Sequence, residues 1–170
     1  MAFALTLGGV TFLMAVIWGS PFVELMRRLK LGKQIRIDGP QTHQSKMGTP
    51  AMGGILIVFA IVLSTLLWTN LTHFYVWIVL LVTIGFGLIG FVDDYRMLIK
   101  KRSKGLSART KFLLQIVLAL LAGVLLFYHP DFNTRVTLPF FKNISPDLGW
   151  GYILFAAVVI VGASNAVNLT

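Results

Sequence analysis

The chain has 170 residues, 56% of them hydrophobic and 12% charged, with 15 Lys and Arg against 6 Asp and Glu, a net charge of +9 and a mean hydropathy of +0.82. Soluble domains carry roughly 25% charged residues, so this composition excludes an ordinary water-soluble globule and points to an integral membrane protein. With no cysteine, a disulfide framework and a thiolate metal site are excluded as well.

The apolar residues gather into windows near the roughly 20 residues that a bilayer-spanning helix needs, rather than into amphipathic stripes. Five windows predict helices, at about 3–20, 51–68, 75–92, 112–128 and 151–167, in a single all-α integral membrane domain. The first lacks both a basic leader and a small-residue cleavage site, and reads as a retained helix rather than a signal peptide. Thirteen of the fifteen basic residues fall in two connections, 21–50 and 93–111, while 69–74 has none and 129–150 has only Arg135 and Lys142. Lys and Arg concentrate in short cytoplasmic loops, which places the amino terminus outside and the two basic loops inside. Five crossings then bring Asn165, Asn168 and Thr170 to the cytoplasmic face. The net positive charge is thereby a topology signal with attraction to anionic headgroups, and nucleic acid is not an expected partner. Before the fifth helix, "TRVTLPFF" alternates like a short strand and "NISPDLG" supplies turn residues, so a small periplasmic hairpin is expected there.

Three polar clusters face that cytoplasmic side. Asp93 and Asp94 are an adjacent acidic pair where the third helix leaves the membrane. They repel one another, and a helix carboxyl end favours cations, so the pair needs positive compensation. Solvation, or pairing with Arg96 or Lys100, is the plain explanation. A divalent cation, or a base toward an attacking phosphate, is the chemical one. The first basic loop, "IRIDGPQTHQSKMGTPAMGG", combines turn-forming Gly and Pro with His43, Lys46 and Thr49, where backbone N–H groups and a cation could meet a phosphate. It lacks Walker spacing, and on spacing alone it also suits an ordinary loop with a solvated His43. Asn165 and Asn168 share a face of the fifth helix, where two amides in an apolar segment need partners; interhelical hydrogen bonds or a ligand would both serve.

In chain order, "DGPQTHQSKMGTPAMGGI", "GFVDDY" with "KGLSARTK", and "NAVNLT" resemble the signatures of the phospho-N-acetylmuramoyl-pentapeptide transferase family, within the polyprenyl-phosphate N-acetylhexosamine-1-phosphate transferase superfamily. The resemblance runs from about Leu25 to Thr170. It implies a Mg²⁺-dependent membrane enzyme of ten helices, active at the cytoplasmic face of the bacterial inner membrane. Such an enzyme transfers phospho-MurNAc-pentapeptide from UDP to undecaprenyl phosphate, giving lipid I and UMP for peptidoglycan synthesis. On this resemblance Asp93 and Asp94 are the catalytic pair, with Asp93 the base. Lys46, Thr49, Lys111, Asn165 and Asn168 bind substrate. The main metal ligand is expected beyond Thr170, with Asp94 a further one. Ala51 stands where the resemblance implies a Thr, so a hydroxyl contact at that place is not carried over. The family pattern continues past Thr170, so this chain is expected to match the first half of the fold, to be inactive alone, and to be a homodimer at full length. A transferase using UDP-N-acetylglucosamine and a non-catalytic polyprenyl-phosphate-binding module remain the alternatives.

Overall fold

The computed structural model describes residues 2–28, 52–99, 105–137 and 145–169. They form five helices: α1 (Ala2–Arg28), α2 (Gly54–Trp68), α3 (Phe74–Ile99), α4 (Ala108–Phe127) and α5 (Gly151–Leu169). Three stretches, Gly8–Arg28, Phe74–Leu98 and Ala108–Phe127, are long and apolar enough to cross a bilayer, whereas Gly54–Trp68 and Gly151–Val167 are apolar but shorter. Each helix packs on its neighbour in the chain, α1 on α2, α2 on α3, α3 on α4 and α4 on α5, giving an open antiparallel layer among the described residues.

Small side chains make these contacts, because in lipid no hydrophobic force draws helices together and van der Waals approach must serve instead. Ala119 and Ala122 on α4 and Ala156 and Ala157 on α5 are buried, and Ala119, Ala157 and Val161 form one cluster, with Phe86, Ile116, Leu120 and Ile160 packed on it. A Cβ added at Gly123 would sit 3.2 Å from the Ile153 carbonyl oxygen and 3.3 Å from its Cα, so glycine is what lets these two backbones meet. Large apolar side chains point outward instead, among them Leu5, Phe12, Leu67, Val117, Leu154 and Val158, each more than half exposed. A water-soluble fold would bury them; a lipid-bathed one has no need to.

Three expected boundaries are corrected. The first helix does not stop at Ser20 but continues through Pro21 to Arg28, where Arg28 pairs with Glu24 at 2.8 Å one turn back. The third runs on to Ile99, so residues 93–99, expected in a loop, are helical. The fourth starts at Ala108 rather than 112, because the Ser107 hydroxyl caps it by accepting the Thr110 N–H at 3.1 Å. Hydropathy windows report where lipid ends, while a helix ends where its hydrogen bonds do. At 1.5 Å per residue α3 is about 39 Å long, which exceeds a hydrocarbon core of roughly 30 Å and carries its last turns into the polar zone.

Between α4 and α5 the chain turns back on itself as expected. Arg135 and Asp147 form an antiparallel bridge, with Val136 N–H donating to Pro146 O at 3.1 Å and Leu148 N–H to Thr134 O at 3.2 Å. The Thr134 hydroxyl and the Gly149 N–H both donate to Asp147 Oδ1. Gly149 has φ +47, a left-handed turn that glycine adopts without strain.

Candidate active site

The site is built where α3 ends, α4 begins and α5 ends. Asp93 lies on α3 about a turn and a half before its end. Its Oδ2 accepts from Lys111 Nζ at 3.0 Å, and its Oδ1 accepts from the Leu106 backbone N–H at 2.7 Å. Lys111 belongs to the first turn of α4, which the Ser107 cap sets in place. The carboxylate therefore bridges two helices through one cation and one main-chain donor. Both side chains are largely enclosed, Lys111 at 27% and Asp93 at 18% exposure, so this pair is less screened by solvent than a surface ion pair.

Glycine makes the closure possible. A Cβ on Gly105 would come within 2.5 Å of the Asp93 carbonyl oxygen and closer still to its carboxylate. Only a bare backbone lets the strand of chain before α4 lie against Asp93 and turn the Leu106 N–H onto it. Each carboxylate oxygen accepts one hydrogen bond here and has capacity for another, so the pair does not exhaust Asp93 as an acceptor.

One turn further along α4, Gln115 is buried at 4% exposure, and its Oε1 accepts from Asn165 Nδ2 of α5 at 2.8 Å. Asn165 Nδ2 also donates to Val161 O at 2.8 Å. Lys111 and Gln115 are four residues apart on one face of α4, about 6 Å along its axis. Through them α4 ties the carboxylate of α3 to the amide of α5.

Of the site residues expected from the sequence, Asp93 and Lys111 are paired directly, and Asn165 is held by Gln115, one turn along α4 from Lys111. Asp93 pairs with Lys111, not with the nearer Arg96. Asp94 follows it on α3 and is half-buried. Lys46, Thr49 and His43 lie outside the described residues, as does the side chain of Asn168, whose backbone α5 includes. The interhelical hydrogen bond expected for the amides is present at Asn165. Gln115 was not anticipated, although a lone amide within an otherwise apolar window carries the same desolvation argument that singled out Asn165. Gly105 and Ser107 were passed over because their roles depend on how α4 docks.

Among the described residues no group of three His, Asp or Glu could hold a metal ion.

The family model described as Glycosyl transferase family 4 matches residues 76–170, which contain the whole of this cluster. The chain is 55% identical over 152 residues to the phospho-N-acetylmuramoyl-pentapeptide-transferase of Syntrophus aciditrophicus (strain SB), 89% of this chain and 42% of that protein. It is 60% identical over 153 residues to the protein of that name from Desulfatibacillum aliphaticivorans, again 89% and 42%. With the one from Desulfotalea psychrophila (strain LSv54 / DSM 12343) it shares 52% over 159 residues, 94% of this chain and 44% of that protein. The chain spans less than half the length of these curated relatives.

Proposed function

The chain belongs to glycosyl transferase family 4, and we propose that it carries part of the active site of an enzyme that transfers phospho-MurNAc-pentapeptide from UDP to undecaprenyl phosphate, giving lipid I and UMP. The observation that carries this reading is the Asp93–Lys111 pair at the mouth of α3 and α4. A phosphoryl transfer needs an acceptor for the nucleophile's proton and positive charge near the phosphates, and both are placed together there. Relatives that share more than half of the residues aligned with this chain carry the transferase name.

In this mechanism the lipid phosphate attacks the β-phosphorus of the nucleotide sugar and UMP leaves. Asp93, using the acceptor capacity that Lys111 and Leu106 leave, takes the proton of the attacking phosphate. Lys111 releases part of its hold on Asp93 as negative charge grows on the transferring group, and its ammonium stabilises that charge. Mg²⁺ is the proposed cofactor, and when bound it would neutralise phosphate charge. Asp94 is this chain's proposed ligand for it, and no step is assigned through the ion. We assign the reaction to the cytoplasmic face of the inner membrane, a reading supported by the concentration of thirteen of the fifteen basic residues in the connections 21–50 and 93–111. A homodimer is the proposed assembly.

The test is UMP release from UDP-MurNAc-pentapeptide with undecaprenyl phosphate and Mg²⁺ in detergent. It compares the 170-residue chain with a chimera in which the remaining length of the Syntrophus aciditrophicus relative follows it, and with Asp93→Asn in that chimera. The chimera is expected to turn over, the chain alone not to, and Asp93→Asn to lose at least about a hundredfold, the lower range for a general base. In that variant an amide N–H₂ or a neutral oxygen faces the Lys111 ammonium in place of a carboxylate. A chimera that binds undecaprenyl phosphate but releases no UMP would favour a non-catalytic lipid-phosphate-binding module. Turnover with UDP-N-acetylglucosamine in place of the muramoyl substrate would move the chain to a sister transferase.

A further inference from the structure

Gln115 and Ser64 are the buried polar side chains among the described residues, and they differ in one respect. Ser64 Oγ has no hydrogen-bond partner, whereas Gln115 is bonded to a residue of the proposed site. What that bond does to Asn165 can be worked out atom by atom. The two ends of an amide look alike in shape, and only their partners tell them apart. Val161 O is a main-chain carbonyl and can only accept, so the Asn165 atom 2.8 Å from it is the nitrogen. That same nitrogen lies 2.8 Å from the Gln115 side chain, so the atom of Gln115 that faces it is the oxygen. An amide nitrogen has two hydrogens, and here two acceptors take them. The Asn165 oxygen is left with its lone pairs as the one atom of that side chain with bonding capacity to offer.

We propose that Gln115 is a positioning residue that locks the Asn165 amide, so that position 165 offers substrate an acceptor only and binds a hydroxyl or N–H of the nucleotide sugar rather than its phosphates. Ionised phosphate oxygens accept and do not donate, so a saturated Nδ2 gives them nothing. The cluster then divides its work along one face of α4: Lys111 supplies positive charge, and four residues on Gln115 sets the polarity of the recognition contact. For its ligand this proposal rests on the transferase reading; for its geometry it does not.

The experiment follows the Asn165 side-chain amide by NMR in the 170-residue chain, labelled with ¹⁵N at Asn and Gln and held in lipid nanodiscs. Both Nδ2 protons are expected to exchange slowly with solvent. In Gln115→Leu one of them should exchange about fivefold faster, as for loss of one typical hydrogen bond, while the one held by Val161 O stays slow. Gln115→Glu keeps an acceptor oxygen at that place and should restore protection. Should Gln115→Leu lose the backbone spectrum of the folded chain, Gln115→Glu decides alone, and a fast-exchanging Asn165 amide in it overturns the proposal. Unchanged exchange in a folded Gln115→Leu does so too. Uridine and pyrophosphate are then added separately to the unmodified chain. Uridine should shift the Asn165 amide resonances and pyrophosphate should not; a shift with pyrophosphate, or with neither, overturns the acceptor role. UMP release by the chimera together with an unmoved amide sinks this inference alone, and a uridine shift without UMP release sinks the transferase reading alone.

Discussion

At one end of the helical layer α3, α4 and α5 are joined by an ion pair and an amide contact; at the other end the same three helices are joined by rings. Phe74 stacks on His129 at 4.3 Å between centroids, Phe127 meets Trp150 at 4.6 Å, and Phe132 meets Tyr152 edge-on at 4.9 Å. The Tyr75 hydroxyl reaches Asp131 O at 3.3 Å. Ring contacts are favourable over a broad range of offsets and suit a membrane interface, where one side of the ring is apolar and the other wet. Hydrogen bonds and close ion pairs weaken steeply with misalignment. The ring end can therefore hold helices together while sliding, and the polar end holds particular atoms in place. A site that must present a carboxylate, an ammonium and an amide in register needs the second kind of joint.

That contrast can be broken most forcefully at Gly123. Gly123→Leu drives a side chain into the Ile153 backbone and should cost about 3 kcal/mol, the upper range for overpacking, read as loss of unfolding free energy in micelles. The damage should show in the fluorescence of Trp150 before it shows in ligand binding. Gly105→Ala sharpens the contrast from the other end: its Cβ pushes against Asp93, at a cost of about 2 kcal/mol. Here UMP release by the chimera should fall further than the stability does, because Asp93 loses the Leu106 N–H. A milder change is Phe74→Leu, which removes the stack on His129 and should cost about 1 kcal/mol, leaving turnover at its normal rate.

The smallest effect is expected from acid. The Thr134 hydroxyl first and then the Gly149 N–H hold the Asp147 carboxyl below the usual carboxylate range, against an opposing effect of desolvation, with the Arg135 charge adding the least. A depressed value means that the carboxylate form favours the folded hairpin. Its contribution is complete above the unfolded value, about 3.9, and is lost as pH falls through the lower folded one. Trp150 emission should therefore stay level down to about pH 4 and change below it, and Asp147→Asn should remove that acid step.

Most of the helical frame is legible in the sequence because lipid imposes a length and a composition on each span. The turns where helices leave the lipid are not, since Ser107 starts α4 by a local hydrogen bond and α3 continues past its apolar residues. Asp93 stood out as half of an acidic pair, and Asn165 as an amide in an apolar helix. The partner of Asp93 did not, because Lys111 is eighteen residues away and was one of seven basic candidates in its loop. Gln115 was hidden by its surroundings: one amide among Leu, Ile and Val leaves the window's hydropathy intact, and only its burial against α5 gives it a role.

Because each described helix touches only those before and after it in the chain, the order of synthesis is also the order of assembly. α2 can dock on α1, and α3 on α2, as soon as each is made, with no partner among the described helices still to be translated. The connections 69–73 and 100–107 are short, and the longer ones, 29–53 and 128–150, cost only modestly more to close, because loop-closure entropy grows slowly with length. The carboxylate of α3 is held by the opening turn of α4, the next helix to emerge, so its counterion follows it by eighteen residues of further synthesis.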